Sequence, residues 1–548
     1  MQLNRQSFLN AALLQAVLLT GGSAVGVATA AEVSSPEQAV HVLNRLGYGA
    51  RPGDIERVRQ MGVQRYIEAQ LDPASIPLPP ALQQRVDGIA ISRQTTGSIL
   101  GEFLAVRMQA KDEDGQRKQQ RRATIGRIAE ETAQLRLVRA IDSPRQLEEV
   151  MVEFWFNHFN VFSGKGLDRA LIAGYERDAI RPYVMGSFRD LLGATAKHPA
   201  MLFYLDNYLS TAADFQPRGA QKGAGAKAKA SGLNENYARE LMELHTLGVD
   251  GGYAQKDVTE LARMLTGWTF DPRQLVKNEQ SFRFNPERHD DGDKDWLGHH
   301  VASQGQREGE FALDVLAQHP ATARHLSALL AQYFVQDAPP AALVERMAQR
   351  YLATHGDIRS VLRTLFSSPE FMAPAAIGSK FKTPYQFVIS AARAADVPVN
   401  NVRPLLGALN QLGMPLYGCQ TPDGYKNTQA AWLNPDALGR RIAFASTLAS
   451  GKLPLTQIPN TANGDGMGQR QLERQAEGMP GMAGTNGTIG TIGIAGNLRP
   501  ADLPPLDATP LLATLGPVIS ARTSDTVARN PPALRAAMLL GSPDFMQH

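Results

Sequence analysis

The chain has 548 residues, of which 43% are hydrophobic and 20% charged, with a formal net charge of +3. This balance excludes a disordered or membrane-embedded protein. The near-cancellation of Lys+Arg against Asp+Glu gives no general attraction for nucleic acid or anionic membrane.

In chain order, Met1 to Ala30 reads as an export signal: Arg5 in a short polar start, the apolar run Ala11 to Leu19, and Ala28-Thr29-Ala30 as a small-residue cleavage site. That run is far short of the roughly 20 residues needed to span a bilayer. The expectation is therefore an exported protein, periplasmic or secreted, with no transmembrane segment in the mature chain. Helix punctuation recurs beyond it. Ser35-Pro36, Ser143-Pro144, Ser368-Pro369 and Ser542-Pro543 each place a capping hydroxyl before a proline at the first helical position. The patterns predict helices over Ile91–Ala140 (broken near Gly115), Gln146–Phe156, Glu310–Gln332, Ala341–Ala353 and Pro384–Ala395.

Alternating strand patterns are scarce and no βαβ succession occurs, so the expected fold is mostly α-helical: one large multi-helix body, 31–457, with long irregular loops and little or no β-sheet. Two stretches break the globular composition. Gly219 to Gly232 is small and basic and reads as an insertion or a flap. The Gly/Met-rich stretch 458–500 reads as a flexible loop or linker before a C-terminal helical segment, 501–548, expected to pack on the body. The lone Cys419 permits no intramolecular disulfide, leaving stability to the core.

Four stretches carry candidate chemistry. In Trp155-Phe156-Asn157-His158-Phe159-Asn160, amide and imidazole groups interleave with aromatics, as in a polar pocket wall or a hydrogen-bonded core turn. In Asn234 to Trp268, two consecutive helices are predicted. On a helical wheel, Asn236, Glu240 and Glu243 share one face with Arg239 beside them, opposite Tyr237 and Leu241. Two carboxylates so placed can share a proton, bind a cation or pair with arginine. His245 points away, which argues against an E-x-x-H metal set on this helix. The acidic turn His289 to Asp295 lacks the EF-hand spacing and reads as a solvated turn or an oxygen-rich cation site. The Pro- and Gly-rich loop Gly413 to Pro435 carries Tyr425 and Trp432, which together with Trp155 and Trp268 offer stacking platforms. No residue is assigned to a metal, and no cofactor is identified. The common nucleotide-binding, zinc-protease and serine-hydrolase motifs are absent.

The blocks LNRLGYGARPGDIERVRQMGVQRYIEAQLDP, FWFNHFNVFSGK, NENYARELMELHTLGVDGGYAQKDVTELARMLTGW, RHDDGDKDWLG, FKTPYQFV, LGMPLYGCQTPDGYKNTQAAWLNP and LLGSPDFMQH, in this order, resemble the bacterial family called domain of unknown function 1800. The resemblance implies kinship along most of the chain and supplies no activity. Two functions fit the residues. One is an enzyme whose His158, Glu240 and Glu243 handle protons, with Trp155, Asn157, Asn160, Asn236, Arg239, Trp268, Tyr425 and Trp432 binding an envelope or extracellular polymer. The other is a non-catalytic binding or assembly factor of the cell envelope, with a polymer or an envelope protein as partner.

Overall fold

The structure, a computed structural model, describes residues 33–108, 115–216, 232–457 and 503–548. The leader, nearly all of the Gly219 to Gly232 insertion and the Gly/Met-rich stretch lie outside the described residues. Within them the chain is mostly α-helical. Two antiparallel ribbons interrupt it, Trp268–Thr269 with Arg283–Phe284 and Lys294–Trp296 with His299–Val301.

Local sequence explains where the helices begin. Ser35 and Gln38 form a capping box ahead of Pro36–Arg45, and Thr383 and Gln386 do the same for Pro384–Ala395. Ala341–Ala353 spans the residues its pattern predicts. The predicted Glu310–Gln332 is instead two helices, Gln306–Gln318 and Pro320–Phe334. Pro320 has no N–H to continue the first helix and suits the first position of the second. His319 Nδ1 accepts the Ala321 N–H as an unusual cap. Ser368-Pro369 makes only a turn, its hydroxyl taking the Phe371 N–H, and the helix after Ser143-Pro144 begins later, at Gln146.

One hydrophobic cluster runs from Ala39 to Met546. The first described helix, Pro36–Arg45, is tied far along the chain: His41 Nε2 bonds the Phe371 carbonyl at 2.8 Å, and Arg45 donates to the Val335 and Ala376 carbonyls. Helix Pro532–Leu540 packs along Pro435–Ala449. Beyond it, Phe381 and Gln547 form a β-bridge, and the Lys382 N–H donates to the Met546 carbonyl. The buried Lys382 ammonium donates to the Phe545 carbonyl and sits 4.0 Å from the centre of its ring. Phe545 also meets Phe387 edge-on. Phe545→Ala empties a closed site and removes this ring contact, and is expected to cost about 3–5 kcal/mol in denaturant unfolding.

Candidate functional site

The carboxylate face is built by helix Glu235–Glu243, whose start is fixed by Asn234 Oδ1 accepting the Asn236 N–H at 2.8 Å. Tyr237, Ala238, Leu241 and Met242 are buried, so Asn236, Arg239, Glu240 and Glu243 face outward. Arg239 is drawn toward the next helix, Gln255–Met264, donating to Gln255 and lying 3.6 Å from Glu235. It therefore does not clamp the carboxylates. Glu243 accepts the Tyr253 hydroxyl at 3.3 Å. Glu240 is half-buried, and its carboxyl has no hydrogen-bond or ion-pair partner among the described residues. Burial first, then repulsion from Glu243, raises its pKa; Arg239 opposes the shift and Asp423 adds to it.

Asp423 reaches this neighbourhood because the Gly413 to Pro435 loop is strapped to the end of helix Gln146–His158. Asn157 takes both backbone groups of Tyr425, donating to its carbonyl at 2.9 Å and accepting its N–H at 2.7 Å. Asn160 donates to the Cys419 and Thr421 carbonyls, and the Tyr204 hydroxyl donates to Gln420. Gly424 has φ +66°, and a Cβ there would sit 2.3 Å from the Asn157 carbonyl oxygen. Only glycine permits so close an approach. Asn157 and Asn160 are thus struts for the loop. The rings of Tyr425 and Trp432 lie 6.1 Å apart, both half-buried, with the indole N–H held by the Lys426 carbonyl.

His158 is bonded to backbone just past the end of helix Glu235–Glu243. Its Nε2 bonds the His245 carbonyl at 3.1 Å, and His325 Nε2 bonds the Leu244 carbonyl at 3.3 Å. Both imidazoles therefore donate to backbone just past the carbonyl end of helix Glu235–Glu243, the signature helix of the family resemblance, which fixes their Nε2–H tautomer. Burial, then the neighbouring His245 and His325, keeps the His158 pKa well below its ordinary value. The ring packs on Phe159 and Trp155. Trp155 and Trp268 are 1% and 0% exposed. Trp155 Nε1 donates to the Val184 carbonyl, and Gly309 closes against the Trp268 indole. Neither ring offers a face for stacking a ligand. Both indoles are large apolar groups whose burial outweighs exposure.

Beneath the loop lies an ionic network that sequence reading missed. Arg136, on the long helix Gly115–Asp142, donates to Glu176 Oε2 at 2.6 Å, and the Tyr417 hydroxyl donates to the same oxygen at 2.7 Å. Glu176 sits on a π-helical turn, Tyr175–Ile180, an irregularity frequent at functional sites. Arg181 bridges Glu176 Oε1 and both oxygens of Glu149. Tyr417 holds its place at φ 58°, a conformation costly for a bulky residue. Burial opposes ionisation of Glu176, but the Arg136 and Arg181 guanidinium groups outweigh it and hold the carboxyl at about 2. Glu153, on the neighbouring helix, meets no cation directly. Burial raises its pKa, while the Tyr333 hydroxyl and the charge of Arg136 pull the other way. Arg136, Glu153, Asn157, Asn160, Tyr417 and Tyr425 belong to the wall of one small cavity. Nearby, Asp168 is fully buried with neither carboxyl oxygen bonded, and burial pushes its pKa well up. One sequence signal marks Glu153: an acid inside the apolar run Met151 to Phe156.

The acidic turn packs on helix Gln255–Met264, where Arg263 grips Asp290 through two nitrogens and also pairs with Glu260. His289 and the buried Lys294 converge on Glu308 at 2.9 and 2.6 Å. Its charges are thus matched in part by fixed cations, and no group of three or more His, Cys, Asp or Glu among the described residues is arranged to hold a metal ion.

Fold and site together define a mostly helical protein with a carboxylate face and an enclosed ionic network, both meeting one irregular loop. A family model described as Protein of unknown function (DUF1800) matches residues 41–547, and the chain belongs to that family. No curated protein and no solved structure matches it. No described helix is long and apolar enough to cross a membrane.

Two outcomes are expected. Glu176→Ala leaves the Arg136 guanidinium buried beside a lost partner and should lower unfolding free energy by about 3–5 kcal/mol, measured by denaturant titration. His245, held at about 3 by burial, returns to about 6.5 on unfolding. It makes no difference above that pH, and below it the unfolded chain binds a proton that the fold refuses, so stability falls as pH drops. The raised carboxyls of Glu153 and Asp168 act in the opposite sense. The histidine contribution is isolated by His245→Gln, whose stability change between pH 7 and pH 5 should be about 2 kcal/mol less unfavourable than that of the parent; equal pH profiles would contradict this.

Proposed function

We propose that the protein is exported and acts as an acid–base enzyme on an envelope or extracellular polymer, with the face between the signature helix and the Gly413 to Pro435 loop as its active site. The observation that carries this reading is Glu240: a half-buried carboxyl without a partner, beside Glu243 and within reach of Asp423, in a molecule whose other buried carboxylates are mostly paired. Unpaired, raised carboxyls beside a second acid are the usual equipment for donating and recovering a proton near neutral pH. Glu240 is the proton donor and Glu243 the second acid beside it. Tyr425 and Trp432 offer half-buried rings for stacking, with Asn236 and Arg239 as hydrogen-bonding groups on the same face. His158 takes no proton in this reading and positions the end of the signature helix. The leader sequence supports export and the access to polymer that export gives.

A non-catalytic envelope assembly factor is the second reading, favoured by Asn157 and Asn160, whose side chains hold loop backbone instead of facing a reacting group. One variant separates the two. Glu240→Gln breaks no hydrogen bond and relieves repulsion, so Tm should stay or rise while release of soluble fragments from envelope polysaccharide or peptide preparations falls at least about 100-fold. An unaltered rate would sink the catalytic assignment. Polymer binding that Trp432→Ala abolishes, with no turnover by the parent protein, would establish the assembly role instead.

A further inference from the structure

We propose that the cavity under the Met414 to Tyr425 stretch of the loop is a binding site for a carboxylate group, held between Arg136 and Glu153. This inference does not rest on the polymer-cleaving reading, because none of its donors belongs to the Glu240 face. The cavity measures about 30 Å³, enough for a water pair or the head of a small acid. Its outer wall includes the half-buried Asn157, Pro415, Leu416 and Tyr425, so it communicates with the surface.

Two polar groups in its wall are more than nine-tenths buried and incompletely bonded. Arg136 is 2% exposed; it uses Nη1 on Glu176 and Nε on the Tyr385 hydroxyl, and Nη2 has no acceptor among the described residues. Glu153 is 7% exposed; its Oε2 accepts the Tyr333 hydroxyl at 2.7 Å, and Oε1 has no donor among the described residues. Tyr333 is itself held by Gln386 at 3.3 Å. Neither Nη2 nor Oε1 is sealed off from the cavity, and one guest there can bond both. A carboxylate accepts a charge-assisted hydrogen bond from Nη2 on one oxygen and a hydrogen bond from protonated Glu153 on the other. The direction of the Glu153 shift, upward through burial, agrees with this.

Charge selects the guest. Arg136 and Arg181 are already balanced by Glu176 and Glu149, so a dianion such as phosphate finds no surplus positive charge and faces Glu176. A monoanion that arrives with a proton for Glu153 leaves the balance unchanged. Phe156, Tyr417 and Met414 give the rest of the wall apolar or aromatic character, which suits the short hydrocarbon of a small acid or the end of a longer chain.

The test is calorimetric titration of the full protein with formate, acetate and N-acetylalanine between pH 5.5 and 9, with chloride and phosphate at matched ionic strength. Binding of the carboxylates should weaken about tenfold per pH unit above the ionisation of Glu153, and Glu153→Gln, whose amide donates at every pH, should bind with a flat profile. Acetate binding tighter than N-acetylalanine identifies a free small acid as the guest, and the reverse identifies a chain end; both support the site. Absence of carboxylate binding, a flat profile in the parent protein, an unchanged slope in Glu153→Gln, or, in the alkaline part of the range where phosphate is a dianion, phosphate binding as tight as formate would each overturn it. Should Glu153→Gln fail to fold, the pH profile of the parent protein decides alone.

Discussion

The Arg136–Glu176–Arg181–Glu149 chain is the constraint on which the arrangement of the site depends. It joins the long helix Gly115–Asp142, the helix Gln146–His158 and the π-helical turn, and through the Tyr417 hydroxyl it reaches the irregular loop. Burying four charges costs several kcal/mol per ion unless each is paired and hydrogen-bonded. That demand allows few arrangements of the surrounding helices. Arg136 also lies over Phe156, Tyr385 and Tyr417, with ring centres 5.6 to 5.8 Å from its guanidinium carbon, so the charge positions the aromatics as well as the backbone. The loop that carries Tyr425 and Trp432 is irregular in sequence and still closely tied, because its anchors include the Tyr417 and Tyr204 hydroxyls and the two asparagines at the helix end.

Three carboxyls around this centre occupy different electrostatic situations, set by burial and by the charges beside each. Glu176 is held ionised by two guanidinium groups. Glu153 lies one helix away without a directly bonded cation and shifts upward. Glu240 is half-buried, and burial first and then the neighbouring Glu243 shift it upward as well. Separating the protonation of nearby acids is how a protein prepares some to donate protons while others stay charged.

Much of the fold was legible in the sequence because capping chemistry is local. Ser35, Thr383 and Asn434 announce their helices within four residues. The break at Pro320 was missed, because its cap is a histidine, outside the residue types that usually mark a start. The signature helix showed its two faces by periodicity, since Tyr237 and Leu241 alternate with Glu240 and Glu243 at helical spacing. What the sequence concealed is pairing across distance: Arg136 meets Glu176 after 40 residues and Tyr417 meets Glu176 after 241. No local pattern encodes such partners. The same limit misdirected the reading of Trp155, Trp268 and His158. Aromatic and imidazole groups suit a binding surface and a core equally well, and burial decides between them only once the helices are assembled.

The bonds of helix Pro36–Arg45 to Phe371 and Ala376, and of Lys382 to Phe545, set an order of events during synthesis. The earliest described helix to leave the ribosome cannot acquire these partners until more than 300 further residues have been made. Loop closure over such separations slows folding and leaves apolar surface open in the meantime. A growing chain of this kind stays unfinished for most of its translation.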